Sequence, residues 1–406
     1  MTISFTKPGK ARDITLVFLI VLGTLVYRRP DAFTHPQLWA EDGPLYLQQV
    51  EQYGFKSLLI PDGGYLHFVP RIIALFWSLL NVSYFYIPAC YVYSAFFFTF
   101  FIALNIWKTV NALGIKHKIL YATSFLLLPL GSDIFMNLTN INWIASLYLI
   151  NFLFVRYSDN SNKNQYLNLI AITIISLSGP FSTLLSPVVF LSIIIERKSL
   201  TVKKTVPLFL ILIGGIIQFI YIKFIDPGMY RGVPGTPEQY HLLMLITNNM
   251  RELLFLDYRH LQWISPFMGM IICEIVFVIL TIIFIKAYRT IINKRKYMLV
   301  LYAIIVLCSF IQAYWPNESK VLWDNPRYYF IPFTCIGWLL ILAFDKIIRP
   351  VYIGVYLLFF LLQHRYIAMV LPDKEWKKQI SDYYAGKTRV IEINPDKWKI
   401  ELPERK

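Results

Sequence analysis

Trp39-Ala40-Glu41-Asp42-Gly43 is the stretch whose residue types best suit chemistry. Two adjacent carboxylates stand there, a short way past the first apolar run, with no cation beside them. A carboxylate at a partly apolar interface gains basicity through desolvation, which suits a group that takes a proton from an acceptor hydroxyl. One acid would do this while its neighbour orients it. The alternative is a helix cap. Asp42-Gly43-Pro44 would open a helix through Tyr46 to Tyr53, with the acids favoured by its dipole. Both roles are compatible, and Asp42 is the preferred base.

Further groups suit binding. Gly63-Gly64-Tyr65-Leu66-His67 permits a tight turn, and His67 and Arg71, four apart, share one helix face. That face can meet an anionic headgroup or a substrate; a snorkelling Arg71 is the bland equivalent. Asp324-Asn325-Pro326-Arg327-Tyr328-Tyr329 presents a planar guanidinium, the group best matched to phosphate, among aromatics that would equally form an interfacial belt. His364-Arg365-Tyr366 offers a second cation with the same ambiguity. Asn137-Leu138-Thr139-Asn140-Ile141-Asn142 is a short polar turn able to add hydrogen bonds to the same site. Tyr230 and Arg231 lie in a loop rich in Pro and Gly whose aromatics suit stacking on a sugar. Gln218 and Lys223 are weak candidates for lining a cavity.

The elements that must position these groups follow from composition. Of 406 residues, 57% are hydrophobic and only 16% charged, and the mean hydropathy is +0.53. Soluble domains run near about 25% charged, so a polytopic, all-α membrane protein is expected. The net charge of +15 does not indicate nucleic acid, because the basic residues sit in short loops between apolar runs. Cys90, Cys273, Cys308 and Cys335 all fall within apolar runs and read as packing residues. Their spacing is not of a metal-ligand type, and a disulfide framework is not expected.

A crossing needs about 20 mostly apolar residues, which gives about eleven helices. They fall at 14–27, 86–107, 119–135, 143–156, 166–180, 183–196, 205–225, 263–287, 298–314, 328–345 and 351–369. Basic clusters, among them Lys108 to Lys118, Arg197 to Lys204 and Lys286 to Lys296, then land on one side, which places the N-terminus in the cytoplasm. Residues 65–80 read as an amphipathic helix at the interface, since counting them as a crossing would invert every later loop. The other side carries loops 28–85, 226–262 and 315–327 of a transmembrane region spanning 1–370, and a tail of 371–406. Cytoplasmic loops are short and lack a Gly-rich phosphate loop, so chemistry is expected outside.

This pattern resembles the GT-C superfamily of integral membrane glycosyltransferases, and within it the bacterial serotype-converting O-antigen glucosyltransferases. The likeness lies in LWAEDGPLYL followed by GGYLHFVPRI, in PRYYFIP, and in the tail INPDKWKIEL. It covers the first third best. It implies transfer of a sugar, here glucose, from a polyprenyl-phosphate donor to a cell-surface glycan such as O-antigen, on the outer side of the bacterial inner membrane. Asp42 or Glu41 would be the base and Arg327 the phosphate ligand, with Arg365 or Arg71 assisting. His67, Tyr65, Tyr328, Asn140, Tyr230 and His364 would contact substrate. The anomeric centre would invert, no metal would be needed, and a donor synthase and a flippase would supply the substrate. Two alternatives differ in class. An O-antigen polymerase or ligase would depend on Arg231, Arg251 and Arg259, and a flippase would need charges near the bilayer midplane, where only Glu274 is a candidate.

Overall fold

The computed structural model describes residues 8–112, 117–128, 132–155, 165–198, 200–226, 327–343 and 369–404. These are mostly helical. The first helix, α1 (Pro8–Arg28), is followed by the short α2 (Pro30–Thr34). A 3-10 turn at Ala40–Asp42 then runs through a wide π-type turn, Gly43–Gln48, into α3 (Gln49–Tyr53). Helix α4 (Phe68–Leu79) matches the amphipathic segment expected at 65–80. It buries Arg71, Ala74 and Leu75, at helical spacing, and leaves Phe76 and Leu79 exposed.

Next come α5 (Ile87–Ala112), α6 (Lys118–Thr123), α7 (Ile141–Val155), α8 (Gln165–Ser176), α9 (Phe181–Glu196) and α10 (Val202–Ile220). Helix α11 (Arg327–Ala343) stacks Trp338 on Tyr121, with ring centroids 4.8 Å apart. Two stretches among the described residues, Tyr84–Asn111 and Thr205–Ile225, are long and apolar enough to cross a membrane.

Several expected crossings take a different form. The run 119–135 is broken: α6 ends at Thr123, a 3-10 turn covers Ser124–Leu127, and Leu128 is extended. Pro129 is the reason, because its ring excludes helical backbone at the residue before it. At 183–196 the helix α9 has 16 residues, shorter than a full crossing. The runs at 143–156 and 166–180 are helical in α7 and α8, which flank residues 156–164, outside the described residues. The break between α8 and α9 falls at 177–180, where Gly179 takes a φ of +79°. The helices expected at 263–287 and 298–314 lie outside the described residues, as does that at 351–369 apart from Met369.

The tail is not a simple polar extension. It forms α12 (Trp376–Tyr384) and an antiparallel hairpin, β1 (Val390–Glu392) with β2 (Lys399–Glu401), in the register Ile391 opposite Ile400. This hairpin is the departure from an all-helical chain. Its inward residues Ile391 and Ile400 are buried and the flanking positions exposed, the two-residue alternation of a half-buried strand.

Helix α10 packs closely on the turn between α8 and α9. A Cβ on Gly214 would lie 2.5 Å from Ser176 Cβ, and one on Gly215 would collide with Ser186. This close approach brings Gln218 to the backbone of the first long loop. Gln218 accepts from Leu66 N–H at 2.8 Å and donates to Leu66 C=O at 3.2 Å.

Candidate functional site

Asp42 and Glu41 are adjacent but have unlike surroundings. Asp42 is fully buried. Its Oδ1 accepts from the backbone N–H groups of Leu138 (3.0 Å) and Thr139 (2.8 Å), and its Oδ2 from Trp39 N–H at 3.2 Å. The Thr139 hydroxyl lies 2.9 Å from both Oδ1 and Trp39 O, so its single proton serves one of them. Burial pushes the Asp42 carboxyl up to about 7, while the Thr139 and Trp39 bonds pull it back toward the ionised form. This side chain ties the first loop to the turn ahead of α7. It is a cap, although it caps Leu138 and Thr139 across the fold and not a helix opening at its own position.

Glu41 is half-buried, and its Oε2 is buried without a hydrogen-bond partner among the described residues. Arg71, on the buried face of α4, is equally isolated. Its Nη1 donates to Leu45 O at 3.3 Å, whereas Nε and Nη2 have no partner among the described residues. Both side chains act electrostatically on Tyr46 and on Asp62, which defines one cluster. Burial and then Glu41 push the Asp62 carboxyl up to about 6, with Arg71 opposing them. Burial lowers the Arg71 guanidinium from its usual range. Leaving a buried cation unpaired costs of order several kcal/mol, so a cluster that keeps one is preorganised for an anion. A buried carboxylate oxygen with no donor suits a group that accepts a proton.

His67 forms the floor of this cluster. Its Nε2 lies 3.1 Å from the Asp62 carbonyl oxygen, which can only accept, so Nε2 carries the proton. Nδ1 then accepts from Tyr46 OH at 3.1 Å and Asn142 Nδ2 at 2.9 Å. Burial lowers His67 to about 4, which keeps the ring neutral near pH 7. Tyr65 stacks on it, with centroids 4.7 Å apart. The Asn142 Oδ1 is buried with no partner among the described residues and adds an acceptor to the same place.

Local sequence explains the loop. Gly63 and Gly64, with φ of +59° and +83°, make the two-residue turn that closes Asp62 on Tyr65. The segment after it is fixed by Ser178, whose hydroxyl accepts from Val69 N–H at 2.6 Å, and by Gly179 N–H donating to Leu66 O at 2.8 Å.

The other expected residues fall elsewhere. Asn140 is buried and donates to Asp133 O at 2.8 Å, a bond that shapes the turn. Arg327 opens α11 and acts on the buried Asp133, lowering a carboxyl that burial raises. Its electrostatic partner is therefore Asp133, while Arg71 is the cation of the cluster around Glu41. Tyr328 lies in the first turn of α11. Tyr230, His364 and Arg365 lie outside the described residues, as do Arg231, Arg251, Arg259 and Glu274. Tyr46 and Asp62 are members that residue type and spacing did not single out, whereas Asn142 belongs to the polar turn expected to add hydrogen bonds and does so to His67. Asp62 had a signal, as an acid directly before Gly-Gly in the loop that already held the acidic pair. Among the described residues no group of three or more His, Cys, Asp or Glu side chains could hold a metal ion.

No protein-family model matches this chain, and no curated protein matches it in sequence. Function is therefore read from the site.

Proposed function

We propose that this chain is an inverting membrane glycosyltransferase that moves a sugar from a polyprenyl-phosphate donor to a glycan acceptor, as a GT-C-type enzyme would. The observation that carries this is one cluster holding a buried Glu41 Oε2 and buried Arg71 Nε and Nη2, all without a hydrogen-bond partner among the described residues. Glu41 takes the proton of the acceptor hydroxyl. The acceptor oxygen then attacks C1 from the face opposite the phosphate and forms the new glycosidic bond as the old C1–O bond breaks. Its electron pair leaves with the lipid phosphate, whose charge Arg71 offsets through Nε and Nη2, which have no partner among the described residues. His67, neutral and held by Tyr46 and Asn142, orients the sugar together with Tyr65. General-base assistance of this kind contributes about 10²–10⁴-fold.

The finer topology belongs to the same proposal: about eleven crossings, a cytoplasmic N-terminus and a site facing outward from a bacterial inner membrane. A sugar–lipid synthase and a flippase supply the donor there, and glucose on O-antigen is the favoured substrate pair. Purified protein in lipid vesicles is expected to transfer labelled sugar from polyprenyl phosphate to a glycan acceptor, and to ignore the nucleotide sugar. Transfer from the nucleotide sugar alone, or none from the lipid donor, would overturn the proposal.

A further inference from the structure

We propose that the C-terminal hairpin is a brace that sets the position of Glu41, with Asn394, Ile393 and Ile400 as positioning residues. This rests on the assignment of Glu41 as the base. Asn394 lies beside the acidic stretch, where its N–H donates to Leu38 O at 3.3 Å and its carbonyl accepts from Ala40 N–H at 2.5 Å. Ala40 holds a φ of +46°, a backbone conformation that residues with a Cβ rarely adopt and that its surroundings must therefore impose. Two residues past Glu41, the hairpin's apolar face rests on Gly43. A Cβ there would lie 2.5 Å from both Ile393 Cδ1 and Ile400 Cγ2. Glu41 is thus held by the tail on both sides along the chain, at Ala40 and at Gly43.

The tail is itself anchored to the same loop. Glu401 N–H donates to Gln48 Oε1 at 3.3 Å, Leu371 N–H to Asp31 Oδ2 at 3.3 Å and the Trp376 indole to Tyr84 O at 2.8 Å. These contacts hold the tail against the first loop before the hairpin and at its second strand, and none involves Arg71 or His67. The brace touches the chain on either side of Glu41, whereas Arg71 is reached only through Leu45 O two residues beyond Gly43, which predicts a larger effect on kcat than on donor KM.

Gly43→Ala is expected to lower kcat at least tenfold while the donor KM stays within twofold of wild type. Adding Ile393→Val and Ile400→Ala removes the two atoms the new methyl would meet, and the triple variant is expected to recover most of the lost kcat. Hydrogen exchange on the wild-type chain is expected to show the Ala40 amide protected. A wild-type kcat in Gly43→Ala, a triple variant no better than the single one, or an Ala40 amide exchanging at the free rate each overturns the brace. If the wild-type protein itself transfers no sugar, the assignment of the base fails instead, so the two failures are distinguishable.

Discussion

Glu41→Gln is expected to reduce kcat for sugar transfer by about 10³-fold, within the range that a general base contributes, with little change in donor KM. The substitution removes the proton acceptor but keeps the side chain's shape. Its thermal unfolding midpoint is expected to equal or exceed that of wild type. The reason is that Oε2 is buried with no hydrogen-bond partner among the described residues, so no bond at that oxygen is lost with the carboxylate. Initial rates and unfolding midpoints on the same preparation check both halves. A fully active Glu41→Gln would move the base elsewhere in the cluster, with Asp62 the next group to test.

Asp42→Asn is expected to act in the opposite sense, on stability. Three backbone N–H groups converge on its two oxygens: Leu138 and Thr139 on Oδ1, and Trp39 on Oδ2. An amide cannot accept at both positions, so one backbone donor would face an NH₂ group in a fully buried place. Leaving a buried donor unsatisfied costs about 1–3 kcal/mol, more where the acceptor was charged. A loss of about 3 kcal/mol is therefore expected, seen as a lower unfolding midpoint and a lower yield. The folded fraction is expected to keep kcat within about tenfold of wild type, or about 1.4 kcal/mol of barrier. Wild-type stability with transfer abolished would reverse the roles given to the two acids.

The contrast between these neighbours shows where sequence reasoning stops. The acidic pair was legible as a candidate because it stood in a loop without cations. Which acid is free was not legible, since that depends on a turn 96 residues further along whose amides happen to meet Asp42. Helix α4 was legible in full from its apolar stripe and from Pro70 near its start. His67 and Arg71 are both buried, but the face their spacing of four suggested is not shared: His67 is the residue ahead of α4, with φ −120° and ψ 60°. Whether Arg71 has a partner is a property of the packed fold, so the sequence could not rank it above Arg327. Arg327 and Arg71 each act on a carboxyl that burial raises, Asp133 and Asp62 respectively. What sets Arg71 apart is its place in the cluster of Glu41, Tyr46 and Asp62, with Nε and Nη2 unpartnered among the described residues. The hairpin was missed for a related reason. Its strands have three residues each, and the apolar face they bury rests on a glycine some 350 positions earlier, at a Cβ distance of 2.5 Å.

The central claim is that the donor phosphate binds at Arg71, in the cluster that holds Glu41. Photo-crosslinking with a polyprenyl-phosphate sugar carrying a photoreactive group near the phosphate tests it most directly, using the intact protein in lipid vesicles. The label is expected in peptides covering residues 41–71, displaced by excess natural donor and strongly reduced in Arg71→Met. Competed labelling confined to peptides containing Arg327 or Arg365, unchanged in Arg71→Met, would contradict it.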